Sequence, residues 1–86
     1  MHYSVLRLRN TRVAVVLVEK ALVKDDHLIR RLQTQLSHPV MLVARDDTSW
    51  KGIKVNAQFQ VAPFLHELMM MDEIEWAEVP EPDLPF

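Results

Sequence analysis

Two short apolar runs constrain this chain more than any other feature. Residues 13–18 read Val-Ala-Val-Val-Leu-Val and residues 40–44 read Val-Met-Leu-Val-Ala. Both are too short for helices and rich in β-branched side chains. Neither contains the polar alternation of a half-exposed strand, so each is expected to be covered on both faces. Between them, Leu28, Ile29, Leu32 and Leu36 cluster within about 100° of a helical wheel, with Arg30, Arg31, Thr34 and Ser37 opposite. That pattern predicts a surface helix with one buried stripe. Asp25 or Asp26 can accept the free N–H groups at its start. The His38-Pro39 step stops it, because proline disfavours helical geometry in the residue before it. Strand, helix and strand at this spacing predict a parallel βαβ unit over residues 13–44.

The flanking sequence adds smaller elements. Residues 53–61 alternate, with Ile53, Val55, Ala57, Phe59 and Val61 apolar, which predicts a half-exposed strand antiparallel to its predecessor. Pro63 suits the first position of a second helix, where its missing N–H would be unpaired anyway, and that helix is expected to run to Met71. On its wheel Phe64, Leu65, Leu68 and Met71 share a face, Met69 lies at the margin, and Met70 falls on the polar side between His66 and Glu67. Residues 73–79 alternate acids with apolar residues, as an acid-edged strand would. Tyr3 to Arg9 predict a further strand turning at Asn10-Thr11, which sets Arg9 nearly opposite Arg12. The expectation is one α/β (or α+β) domain over residues 1–79, with a small mixed sheet of four to five strands and two helices. A Pro-rich acidic tail, residues 80–86, follows it.

Several chemistries are disfavoured by what the 86 residues contain. Without cysteine there can be no disulfide framework and no thiolate ligand or nucleophile, which suits a cytoplasmic location. With Gly52 the only glycine, neither a nucleotide P-loop nor a dinucleotide fingerprint can be written. Glu19 and Lys20 end the longest apolar run far short of the ~20 residues a membrane-spanning helix needs. The histidines, at 2, 27, 38 and 66, lack ligand spacing, and Met70 stands where a zinc-peptidase helix would place its second histidine. No serine has the glycine-flanked elbow of a hydrolase. No catalytic residue, metal or cofactor is therefore expected.

Charge is unevenly placed. Residues 1–60 hold all ten Lys and Arg against five acids, whereas residues 61–86 hold seven acids and no base. Such polarity argues against a general nucleic-acid binder and favours attraction between the ends, within a chain or between copies. The expected function is a non-enzymatic protein-interaction domain that self-associates, most simply as a homodimer. Its contacts would come from Arg7, Arg9, Arg12, the exposed Met70, and the acidic segment with Glu78, Glu81, Asp83, Leu84 and Phe86. The alternative is a small enzyme or a ligand- or metal-binding protein. Its site would lie at the carboxyl ends of the two buried strands, where α/β sheets usually bind ligands. There Glu19 and Lys20 would meet Asp46, Asp47, Thr48, Ser49, Trp50 and Lys51.

Overall fold

The two apolar runs do form adjacent parallel strands, and the rest of the chain is arranged around them. The computed structural model describes residues 1–45, 53–71 and 74–79. Strands β1 (His2–Leu8), β2 (Thr11–Leu17), β3 (Val40–Ala44), β4 (Lys54–Ala57) and β5 (Ala77–Glu78) make one mixed sheet in the order β4-β3-β2-β1-β5. Only β2 and β3 are parallel, in register Ala14 with Val40 to Leu17 with Val43. Helices α1 (Asp26–Leu36) and α2 (Ala62–Met69) cover opposite faces. The fold is thus a small α+β domain built on the expected βαβ unit.

Alternation along β2 and β3 divides the core in two. Ala14, Val16, Val40, Leu42 and Ala44 point toward α1 and meet its buried stripe, Leu28, Ile29 and Leu32. Val13, Val15, Met41 and Val43 point the other way and join Leu8 of β1 and Leu68 of α2. Every residue of β3 is buried, which explains why neither run shows polar alternation. Below α2 the packing is thinner. Phe59, Val61, Phe64, Leu65, Met71, Ile74 and Trp76 join that core while remaining half-buried.

The ends of α1 follow from side-chain chemistry. The Asp25 carboxylate accepts the Leu28 N–H at 3.1 Å, satisfying one of the free donors of the first turn. Termination comes one residue before the His38-Pro39 step. Ser37 turns left-handed (φ 57°) and its N–H donates to the Gln33 carbonyl at 2.9 Å.

Four boundaries differ from expectation. The hairpin turns at Arg9-Asn10, not Asn10-Thr11, with φ of 48° and 62°. Two consecutive left-handed residues are the signature of a type I′ turn, whose twist matches the flanking strands even without glycine. Arg7, not Arg9, is consequently the residue opposite Arg12. Strand β4 ends at Ala57 rather than Val61, because Phe59 leaves the ladder to pack edge-on against Phe64 with ring centroids 5.1 Å apart. Helix α2 begins one residue earlier than expected, at Ala62, and ends at Met69. Glu73, the first residue of the expected acidic strand, lies outside the described residues, and among residues 74–79 the strand is Ala77–Glu78, paired with His2 and Tyr3.

Candidate functional site

The parallel pair sends the ends of β2 and β3 to the same edge of the sheet, where the Val18 N–H donates to the Val43 carbonyl at 2.9 Å. Beyond them lies an open recess of about 420 Å³ lined by Met1, Leu17, Val18, Glu19, Leu22 and Arg45. Glu19 is therefore at the expected edge, and Lys20 begins the 3₁₀ turn (Lys20–Leu22) that forms one wall. The other candidates for this site, Asp46, Asp47, Thr48, Ser49, Trp50 and Lys51, lie outside the described residues.

Arg45 was not singled out from the sequence, although it is the first polar residue after a wholly buried strand. Its guanidinium sits 5.6 Å from the centroid of the Trp76 ring, so an aromatic face from the far end of the chain orients it. A carboxylate and a guanidinium at the rim of an apolar floor could hold a small polar ligand. Among the described residues, no three His, Asp or Glu side chains gather as a metal site.

A second constellation lies on the hairpin. In the β1–β2 register Arg7 stands directly opposite Arg12, and both are exposed. Neither guanidinium has a hydrogen bond or ion pair among the described residues. Like charges placed so are unfavourable unless an anion lies between them. Tyr3, Val5 and Arg7 share the α1 face of β1, yet α1 leaves Val5 38% exposed beside the pair. Arg9 sits in the turn, where its backbone N–H donates to the Glu67 carboxylate of α2.

The third feature is at the end of α2. Met70 is 70% exposed, and the neighbouring Met69, expected at the margin of the buried face, is 53% exposed. Phe64, Leu65, Leu68 and Met71 join the core as the wheel predicts. Glu78 lies on β5 opposite His2 and is exposed. Glu81, Asp83, Leu84 and Phe86 lie outside the described residues. The structure also has an apolar dimple of about 190 Å³ between Thr11, Val13, Pro39, Phe59 and Phe64. It arises because Phe59 leaves the sheet, an event that strict alternation in the sequence conceals.

Comparison with protein-family models, curated proteins and solved structures returns no match for this chain.

Proposed function

We propose that this protein is a non-enzymatic, cytoplasmic protein-interaction domain that associates with itself, most simply as a homodimer. The observation that carries this reading is the pair Met69 and Met70, 53% and 70% exposed at the end of α2. Neither joins the half-buried apolar layer on that side of the sheet, although Leu68 and Met71, on either side of them in sequence, do pack there. Exposed methionines beside an incompletely covered core make an adaptable contact surface, and a two-fold contact would bury both pairs at once. Light scattering on the eluting protein from low to high micromolar concentration should report a dimer, and Met69→Lys with Met70→Lys should return it to a monomer. A monomer at every concentration and salt strength would remove self-association from the proposal.

A second reading is favoured by the recess at the ends of β2 and β3, where Glu19 and Arg45 stand over Leu17, Val18 and Leu22. In this reading the recess binds a small ligand carrying both an acidic and a basic group. Screening zwitterionic and anionic small molecules by NMR tests it: shifts confined to Val18, Glu19, Leu22 and Arg45 support it, and their absence at millimolar ligand rejects it.

A further inference from the structure

The outer edge of β1 is only partly used. A two-residue turn makes its flanking pair, Leu8 with Thr11, a hydrogen-bonded pair, and such pairs recur at every second residue. Leu8, Leu6, Ser4 and His2 therefore spend their backbone groups on β2. Those of Tyr3, Val5 and Arg7 turn outward. The bond from the Val79 N–H to the Met1 carbonyl, at 2.8 Å on that outer side, fits the same alternation. Strand β5 pairs only with His2 and Tyr3, and residues 74–76 approach it without joining the ladder. Val5 and Arg7 thus present outward N–H and C=O groups that no described residue engages. An edge in this state is a template for an added strand.

The side chains around it specify what that strand would carry. On the α1 face the edge offers Arg7, with Arg12 directly behind it in β2, and neither has a carboxylate partner among the described residues. On the α2 face it offers the half-buried Leu6. A second copy presenting its own β1 edge would bring four arginines together, which works against self-pairing here. An extended segment alternating acidic and apolar residues satisfies both faces. Where Tyr3 stands in place of an arginine, the strand that pairs with β1 sets Ala77 on the α1 face and Glu78, opposite His2, on the other.

We infer that the Ser4–Leu8 edge of β1 binds an extended peptide segment of a partner protein, with alternating acidic and apolar residues. The segment adds a strand to the sheet, its acids facing Arg7 and Arg12. This rests on the reading of the chain as an interaction domain and supplies a partner chemistry for it.

The probe is a capped heptapeptide alternating glutamate and valine, titrated into the ¹⁵N-labelled full chain. The amides of Val5 and Arg7 should shift and gain protection from hydrogen exchange. N-methylation of the peptide nitrogens that face the edge should abolish binding. Replacing glutamate by lysine in the peptide should do the same. Arg7→Glu with Arg12→Glu should weaken the acidic peptide about tenfold and admit the lysine peptide. Unmoved Val5 and Arg7 amides at millimolar peptide overturn the inference. So does equal binding of the N-methylated peptide, which would reduce the effect to charge attraction. Light scattering on the same samples keeps the two readings apart: a dimer that ignores the peptide overturns only the edge inference, and a monomer that binds it overturns only self-association.

Discussion

The backbone N–H of Arg9, at the tip of the β1–β2 hairpin, donates to the side-chain carboxylate of Glu67 in α2. This bond joins residues 58 positions apart and ties the hairpin to a helix that otherwise rests on a thin apolar layer. Glu67→Ala should cost about 1 kcal/mol, the usual net worth of such a bond at a partly solvated position. Glu67→Gln should recover most of it, because the amide oxygen can still accept. Urea denaturation of the three proteins checks the order.

Arg9 and Asn10 both occupy the left-handed region, at φ 48° and 62°. That conformation disfavours a long side chain at the first position and suits Asn-Gly across the two. Replacing the pair, Arg9→Asn with Asn10→Gly, should raise stability by about 1 kcal/mol. Arg9→Val should lower it by a comparable amount, since a β-branched side chain tolerates positive φ poorly. Thermal melts would show opposite shifts of several degrees.

This turn marks where the sequence became hard to read. Residues 13–44 were legible because each run is buried on both faces and each end of the intervening helix has local chemistry, Asp25 at the start and Ser37 with Pro39 at the finish. The hairpin register depended on two residues accepting positive φ without glycine, for which neither Arg9 nor Thr11 gives a strong local signal. A shift of one residue was enough to exchange Arg7 for Arg9 as the partner of Arg12. Phe59 extended an apparent strand by pattern alone, while its actual partner, Phe64, lies in the next element. At the candidate ligand edge Glu19 was legible from its place after a buried strand. Arg45 needed Trp76, brought in from more than 30 residues away, to make it visible.

Asp25 caps α1 through the Leu28 N–H. Asp25→Ala should therefore destabilise the protein by about 1 kcal/mol, and Asp25→Asn by much less, because asparagine caps nearly as well. Loss of helical circular dichroism at intermediate urea should track the alanine variant only.

The two sides of the sheet should respond unequally to truncation. Leu32 is 1% exposed under α1, so Leu32→Ala should cost about 3 kcal/mol from lost burial and the cavity it leaves. Val61, half-buried on the α2 side, has solvent at hand to fill the gap, and Val61→Ala should cost under about 1 kcal/mol. Native-state hydrogen exchange should agree, with the slowest amides in β2 and β3 and faster ones in α2.

The short pairing of Ala77 and Glu78 with Tyr3 and His2 has a consequence in time. Every other strand contact in the sheet joins segments close along the chain, whereas this one closes a loop of more than 70 residues. Its entropy of closure is the largest in the fold, and it is offset by two residues of ladder, the Val79 bond to Met1 and the packing of Ile74, Trp76 and Val79. Closure of this pair is the expected last step of folding, to be seen as late protection of the Val79 amide in pulsed hydrogen exchange. The pair is thus a latch on a nearly finished sheet, and opening it would lengthen the stretch of β1 edge that no described residue engages from Ser4 back to His2.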